Sequence, residues 1–470
     1  MAGIGFVLKK LIKKDRYSSD FKANLYAVVV SSGPWLFAVL CIAGLSIFSS
    51  PLITENDLIL FRAIIIYVYA FSLITTSIFQ LVLTRFISDR LYQREYSSLL
   101  PSFLGSIVIV GIMNLLVSST FIYFAEIDFV QKVLAVILFC SVGYQWIILN
   151  FLSSVRDYMR IVRIFFVGFL LSFLAALLLG QYYNLVGYLA GYTLGQLFIV
   201  MFMVDRLIKE FPFGKDKIFE FGRYFKNYHQ LALTAFLYNL GFWIDKFLVW
   251  FSPRGRVTGG IFHYHYPYDT ALFLGLLTII PAMAIFFLQV ETDFYEGLRN
   301  YINTILKKGT LEEIDHTKDY LINELKDKLN DVTQTQLLFT VIMFLLAPRI
   351  LVWLRYSPDD LQLRNIFMIS IFAAFFQVMF LIMVVLLWYI ELLNESLFCV
   401  GLFAGLNFTV NLILLNYYPE VTIGVGYLAS VVVSCGVTAF VLISNLKQMN
   451  YLIFLRKPLV ESQPIMPEYE

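Results

Sequence analysis

Twelve long apolar segments fill most of the chain, and they constrain its fold more than any other feature. A helix needs about 20 apolar residues to cross a bilayer, and most of the segments reach that length. Strands of membrane β-barrels are only about ten residues long and alternate in polarity, so a barrel is excluded. The sequence predicts an all-α polytopic membrane protein whose segments one to twelve are 24–49, 57–82, 101–124, 129–153, 161–181, 185–205, 229–251, 268–290, 333–354, 365–390, 397–417 and 424–446.

Lys and Arg are distributed unevenly enough to predict the orientation of these segments. Of the 35 basic residues, 27 lie in the termini or in and beside alternate connections, whereas the opposite connections account for 6. The side rich in Lys and Arg is expected to be cytoplasmic. Both termini would then be cytoplasmic, which requires an even number of crossings, and twelve satisfies that requirement.

The residue patterns do not indicate an enzyme. The chain contains no GxxxxGK[ST] phosphate-binding loop, no HExxH and no paired CxxC. The four cysteines all fall within apolar segments, where they are interpreted as small buried hydrophobic residues. We therefore expect no catalytic residues, no cofactor, no metal site and no disulfide framework.

The chain divides into two halves of six segments, an organisation that is common in secondary transporters. A basic stretch that contains aromatic residues precedes segments one and seven; each could lie on the inner leaflet or be an ordinary basic flank. The predicted parts are a basic amphipathic tail at 1–23, an N-terminal six-helix lobe at 24–205, a basic cytoplasmic linker at 206–228, a C-terminal six-helix lobe at 229–446 and a cytoplasmic tail at 447–470.

The largest hydrophilic insert, 291–332, has apolar residues at helical spacing against Glu, Asp and Lys. Thr310 and Glu313 fit a capping box at the start of its second helix. We expect a cytoplasmic helical hairpin on the membrane surface. It could bind a partner or serve as a solvated spacer.

Polar residues follow one face of segment two, at spacings close to whole helical turns. Lipid is a poor environment for such a face, so it is expected to line an aqueous path or a contact between helices. Arg62 could instead reach the outer surface, because it lies about 7 Å along the helix from Asp57. The candidate path residues in this segment are Arg62, Tyr69, Ser72, Thr76 and Gln80.

Segment seven carries Asp245 and Lys246 within an otherwise apolar helix. Neighbouring helical residues point about 100° apart, so we expect the two charges to have different partners. Amide, aromatic and charged groups together suit a sugar, although a buried structural ion pair or a proton or sodium site on Asp245 would give the same pattern. The candidate path residues here are Tyr238, Asn239, Trp243, Asp245 and Lys246.

Further candidates are helix breakers and acidic or aromatic residues at helix ends. Proline inside a transmembrane helix removes a backbone hydrogen bond and kinks the helix, so Gly33, Pro34 and Pro281 are candidate hinges. Segment eight begins with Tyr268 and Asp269, of which Asp269 could also be an N-cap. It ends with Glu291 and Asp293, which would contact a gate or a basic partner, or form a solvated turn.

Several stretches resemble the Pel exopolysaccharide transporter family (PelG), which is similar to polysaccharide flippases of the multidrug/oligosaccharidyl-lipid/polysaccharide superfamily. They are the opening MAGIGFVLKKL, SSGPW at 31–35, YNLGFWIDKFLVWFSP at 238–253 and the stretch 268–296. The resemblance covers essentially the whole chain. The matching family-pattern positions are Ser31, Ser32, Gly33, Pro34, Trp35, Tyr238, Asn239, Asp245, Lys246, Tyr268, Asp269, Pro281, Glu291 and Thr292.

This resemblance implies two six-helix lobes around a central cavity that opens alternately to either side of a bacterial cytoplasmic (inner) membrane. It implies an N-acetylgalactosamine-rich polymer as substrate. The implied partners are a cytosolic glycosyltransferase, a membrane cyclic-di-GMP receptor and a further membrane subunit. Two alternatives stay open: a cation-coupled exporter of drugs or lipid-linked precursors, and a membrane scaffold of a polysaccharide synthase.

Overall fold

The computed structural model describes residues 17–49, 53–153, 158–214, 217–354, 360–418 and 421–456, without the side chains of 17–32, 291 and 455–456. Most of the predicted tails at 1–23 and 447–470 therefore lie outside the described residues. The helices are α1 Tyr17–Ser49, α2 Glu55–Tyr92, α3 Leu99–Tyr123, α4 Phe129–Leu152, α5 Tyr158–Glu210, α6 Gly222–Asn227, α7 His229–Trp250, α8 Tyr266–Leu276, α9 Ile280–Ile285, α10 Glu291–Leu306, α11 Leu311–Trp353, α12 Leu361–Tyr389, α13 Leu393–Tyr417, α14 Val425–Lys447 and α15 Met449–Tyr451. Between α7 and α8, strands β1 Arg256–Thr258 and β2 Phe262–Tyr264 form an antiparallel hairpin.

All twelve predicted segments coincide with helix, as expected for a chain that must satisfy its backbone hydrogen bonds inside a bilayer. Within the described ranges, ten helical stretches are long and apolar enough to cross a membrane, and Gly33–Ser49 is a shorter apolar stretch. The 53-residue α5 is interrupted at Tyr183 and Asn184, which have non-helical backbone angles. The sequence predicted a boundary at this place, between segments five and six.

The two halves of α5 pack closely against each other at glycine residues. A Cβ on Gly191 would lie 2.3 Å from the backbone nitrogen of Ala176, and one on Gly195 would lie 2.0 Å from Ser172 Oγ. Small residues four apart let membrane helices approach to backbone contact. The break therefore turns one long apolar stretch into a helical hairpin.

The buried side chains form two core clusters, one for each lobe. The first is built mainly from α1–α6 and the second mainly from α7–α14. The lobes meet where α2 packs along α7 and α1 packs against α9. The resulting molecule is an all-α, two-lobed polytopic membrane protein.

The eighth segment is not one regular helix. A 3-10 turn, Leu277–Ile279, separates α8 from α9, and a π-helical turn, Phe286–Val290, separates α9 from α10. Pro281 lies at the start of α9, whereas Pro34 lies inside the uninterrupted helix assigned to α1. Gln336 of α11 bridges the interruption: its Nε2 donates to the Thr278 carbonyl at 2.8 Å, and its Oε1 accepts from the Ala282 N–H at 3.2 Å.

The predicted hairpin at 291–332 exists, and Thr310 and Glu313 form the expected capping box. Its position on the membrane surface stays a prediction. The second helix of the hairpin is continuous with the ninth predicted segment, because α11 runs unbroken for 43 residues. Such a helix is about 65 Å long, roughly twice the hydrocarbon thickness.

Candidate functional site

Asp245 is the centre of a buried polar cluster in the C-terminal lobe. Its side chain is fully buried, and it accepts hydrogen bonds from residues of two other helices. Tyr268 Oη of α8 donates to Asp245 Oδ2, and Asn407 Nδ2 of α13 donates to Oδ1 at 3.1 Å. The Asn407 amide also donates to the Gly241 carbonyl at 2.7 Å. Asp245 thereby ties α7, α8 and α13 together.

Lys246 supplies the compensating positive charge. Its Nζ donates to the Phe242 carbonyl at 2.6 Å and lies 3.4 Å from Asp245 Oδ1. The same ammonium lies 4.4, 5.4 and 5.3 Å from the ring centroids of Phe242, Trp243 and Tyr427. Cation–π attraction of this kind strengthens when the cation is desolvated. The expectation of separate partners is therefore only half right, because the flexible lysine stem curls back towards its neighbour.

Close approach of α7 and α13 makes this cluster possible. A Cβ on Gly241 would lie 3.0 Å from both Cα and Cβ of Ala404. Since Asn407 lies one turn beyond Ala404, glycine at 241 brings the amide within reach of Asp245. Sequence reasoning missed Asn407, although an Asn at 407 and another at 411 in an apolar segment was a usable signal. Asn411 Nδ2 donates to Asn407 Oδ1 at 2.7 Å and orients its amide.

A second carboxylate, Asp269, lies at the start of α8. Its Oδ1 accepts from Trp250 Nε1 at 2.7 Å and its Oδ2 accepts from the His265 N–H at 3.0 Å. The predicted N-cap role of Asp269 is wrong, because the cap is His265, whose Nδ1 accepts from the Tyr268 N–H at 3.2 Å. Burial lowers the pKa of the His265 imidazole, and Arg254 and Arg256 lower it further. The neutral imidazole can therefore act as this acceptor.

Other predicted residues of α7 have different surroundings. Tyr238 accepts from Gln377 Nε2 at 3.0 Å, and Gln377 Oε1 accepts from Tyr427 Oη at 3.0 Å. Asn239 donates to the Ala235 carbonyl of its own helix at 2.9 Å. Trp243 packs against the core of the N-terminal lobe, and its indole N–H is buried without a hydrogen-bond acceptor.

Aromatic rings fill the seam between the lobes. Tyr67 of α2 stacks on Trp250 of α7 with 5.0 Å between centroids, and Phe71 stacks on Phe247 at 5.1 Å. Tyr67 Oη also donates to the His263 carbonyl at 3.1 Å and accepts from its N–H at 3.0 Å. Because Trp250 is also bonded to Asp269, this seam adjoins the charged cluster.

The polar face of α2 makes its hydrogen bonds within the N-terminal lobe. Arg62 Nε donates to Ser46 Oγ of α1 at 2.8 Å, and Tyr69 Oη lies 3.1 Å from Tyr192 Oη of α5. Thr76 donates to the Ser72 carbonyl at 2.7 Å, and Gln80 Nε2 donates to Thr76 Oγ1 at 3.4 Å. The contacts of Arg62 and Tyr69 are of the interhelical kind that the sequence left open, whereas those of Thr76 and Gln80 remain within α2. All four are separate from the contacts of Asp245.

The two acidic residues predicted after segment eight lie on the hairpin arm. The side chain of Glu291 lies outside the described residues. Asp293 Oδ2 lies 3.6 Å from Lys328 Nζ of α11, so it bridges the two arms of the hairpin.

Solved structures share this fold. An outward-facing multidrug resistance MATE family transporter of the MOP superfamily aligns with a TM-score of 0.64 at 14% identity, over 94% of this chain and 98% of that chain. A MOP superfamily transporter from Pyrococcus furiosus Vc1 aligns with a TM-score of 0.59 at 14% identity, over 92% of this chain and 96% of that chain. An inward-facing MATE family transporter aligns with a TM-score of 0.51 at 13% identity, over 95% and 99%.

No curated protein matches the sequence significantly. A family model described as "PelG: Putative exopolysaccharide Exporter (EPS-E)" matches residues 1–454. The match covers nearly the whole chain, and it agrees with the two-lobed MATE-like fold. The chain is thus a multi-pass membrane transporter rather than an enzyme, and it belongs to the PelG exopolysaccharide exporter family.

Proposed function

We propose that this protein moves an exopolysaccharide from the cytoplasm to the outer side of the bacterial cytoplasmic membrane. The substrate would be a Pel-like, N-acetylgalactosamine-rich polymer that passes between the two lobes as they open alternately to either side. The observation that carries this proposal is the charged cluster of Asp245, Lys246 and Asp269. It lies within apolar helices and adjoins an aromatic seam between the lobes.

Charges inside a membrane are costly, and where they occur they usually serve a substrate or ion path. Trp243 could stack on a sugar ring, and its unpaired indole N–H could donate to a hydroxyl. Tyr238, Asn239, Asp245 and Lys246 would complete the C-terminal side of the path. Arg62, Tyr69, Thr76 and Gln80 would instead hold the N-terminal lobe rigid, since their hydrogen bonds remain within it.

The cellular setting is also a proposal. Both termini would be cytoplasmic by the distribution of Lys and Arg. A cytosolic glycosyltransferase would deliver the polymer, and a membrane cyclic-di-GMP receptor with a further membrane subunit would complete the assembly. Tyr268 and Asp269 would lie at the outer gate, and Glu291 and Asp293 near the partner surface.

The test is polysaccharide export in cells that carry Asp245→Asn, with protein level and recovery of the assembled complex as controls. Loss of export with intact protein and complex would support transport through this molecule. Normal export would refute a role for this carboxylate in transport.

A second candidate function is a scaffold that anchors the synthase while another subunit moves the glycan. The observation that favours it is the hairpin, since about 35 Å of α11 lies beyond the length needed to cross the bilayer. A cation-coupled exporter of small precursors is a third candidate, for which Asp245 would be the coupling carboxylate. Export that persists when Asp245 is neutralised would favour the scaffold, and dependence on a proton or sodium gradient with a monomeric substrate would favour the third.

A further inference from the structure

An ion pair crosses from one lobe to the other at the end of the bundle predicted to be cytoplasmic, here called the inner end. Arg85 Nη1 of α2 lies 2.9 Å from Glu391 Oε1, in the connection between α12 and α13. Arg85 is in the N-terminal lobe, whereas Glu391 follows a helix of the second core cluster. The two side chains are 34% and 42% exposed, so the pair lies at an aqueous edge of the seam.

The backbone at Glu391 is unusual for a charged residue. The α12 helix ends with the N–H of Leu392 bonded to the Leu387 carbonyl at 2.9 Å, a Schellman-type ending. Glu391 occupies the left-handed position of that ending, at φ 60°, where glycine is the usual residue. The strained backbone conformation therefore falls on the residue whose side chain reaches the opposite lobe.

The linker places Arg85 at the junction of both lobes. The short helix α6 is held on α2 by an ion pair of 2.6 Å between Arg90 and Glu220, and by an edge contact of 5.2 Å between the rings of Phe86 and Tyr224. The guanidinium of Arg85 then lies 5.3 Å above the ring of Tyr228, the residue just before α7. One arginine therefore contacts the first lobe, the entry to the second lobe and the α12–α13 connection.

We propose that Arg85 and Glu391 form a latch that holds the inner ends of the lobes together and must break before the transporter opens inward. This inference rests on the alternating opening proposed above. In this conformation Arg85 contacts both Glu391 and the Tyr228 ring at the inner end of the seam. An exposed pair of this strength shifts an equilibrium by about 1.4- to 5-fold, enough to bias the two states without locking one.

The test is pulsed electron–electron double resonance on the full chain in lipid nanodiscs. It measures the distance between spin labels at Tyr92→Cys and Asn394→Cys, which should lengthen when the latch opens. Both positions are exposed and flank the ion pair on opposite lobes; the four native cysteines would be replaced. Glu391→Gln removes the charge, and Glu391→Gly also relieves the left-handed backbone. The matched control is Asp89→Asn, because Asp89 lies 3.2 Å from Arg85 on the same helix.

Both substitutions of Glu391 should raise the ratio of long to short inter-label distances by up to about five-fold, whereas Asp89→Asn should leave it unchanged. In the labelled protein that keeps both Arg85 and Glu391, the ratio should rise in the same way when the salt concentration is increased from about 0.05 to 1 M, because salt screens exposed charges. An unchanged distribution in both Glu391 variants would overturn the latch. An equal shift in Asp89→Asn would also overturn it.

Export measured in the same variants separates this inference from the proposed function. Shifted distances with normal export would support the latch and show that its opening does not limit transport. Lost export with unshifted distances would overturn the latch while leaving the transport role intact.

Discussion

Neutralising Asp245 and Lys246 singly and together tests whether the buried charges form one unit. Asp245→Asn keeps the side-chain shape but leaves the ammonium of Lys246, which is 6% exposed, with only the Phe242 carbonyl and three aromatic faces. Removing one partner of a buried pair costs about 3–5 kcal/mol, and cation–π attraction offsets up to about 2 kcal/mol. With the full offset, we therefore expect a loss of about 1–3 kcal/mol in unfolding free energy.

Lys246→Met should cost less. It leaves the carboxylate with two neutral donors, Tyr268 and Asn407. Hydrogen bonds to a charged group contribute about 1.5–3 kcal/mol each, so these donors retain much of its stabilisation. In the double variant no unpaired charge remains, and its stability should return to within about 1 kcal/mol of the unmodified protein.

The assay is equilibrium or thermal unfolding of the four proteins in the same detergent, combined with export in cells. The double variant should recover protein level and stability but not export if the charges serve the substrate path. Recovered export would make the cluster purely structural. Stability losses that simply add in the double variant would refute the coupling itself, because contacting charges should show an interaction energy of about 0.5–3 kcal/mol.

Three further predictions concern the packing of α7 on α13, the β-hairpin between α7 and α8, and the pH dependence of a contact of α15. Gly241→Ala should destabilise the protein by about 1–3 kcal/mol in an unfolding assay because α13 backbone is in contact, whereas Gly436→Ala, with open space around it, should be neutral or stabilising. Tyr67→Phe keeps the ring but leaves both backbone groups of His263 unpaired, so hydrogen exchange in the β-hairpin should rise by about 5- to 150-fold, as about 1–3 kcal/mol implies. Asn450 Nδ2 of α15 and Lys318 Nζ donate to Asp315 Oδ1 of α11 at 2.7 and 2.8 Å, and these bonds lower the pKa of Asp315 below its usual 3.8. The contact between α15 and the helical hairpin at 291–332 is therefore stabilised above pH 3.8 and should be lost as pH falls below it, measured by limited proteolysis.

Helix positions followed from the sequence because a bilayer leaves the backbone few choices. Length and polarity alone located the twelve segments, and the break at Asn184 fell between two of them. The irregular eighth segment was only partly predictable. Pro281 predicted an interruption of the helix, but nothing in the sequence indicated that Gln336, 55 positions later, would bridge it.

The position of the hairpin and the partners of the buried charges depended on tertiary structure. An amphipathic stretch of 22 residues could lie on a membrane or continue a span, and the sequence does not distinguish them because both bury one face. Asp245 was identified from its cost in hydrocarbon. Its hydrogen-bond donors, Tyr268 and Asn407, could be predicted only with knowledge of which helices pack together. The packing of α7 on α13 depends on their close approach at Gly241.

The two lobes differ in how they satisfy their interior polar groups. Apart from the bond of Arg62 to Ser46, the N-terminal lobe uses uncharged pairs, among them Gln145 Nε2 to Gln196 Oε1 at 3.0 Å and Gln196 Nε2 to Ser172 Oγ at 3.2 Å. The C-terminal lobe instead holds a buried carboxylate, Asp245, a buried ammonium, Lys246, and the half-buried carboxylate of Asp269 beside the seam. A neutral network has no charge state to change, whereas a carboxylate–ammonium cluster responds to a proton, an ion or a charged sugar. Any charge-dependent step of transport should therefore be sensitive to substitutions in α7, α8 and α13, and largely insensitive to those that preserve the shape of the N-terminal network.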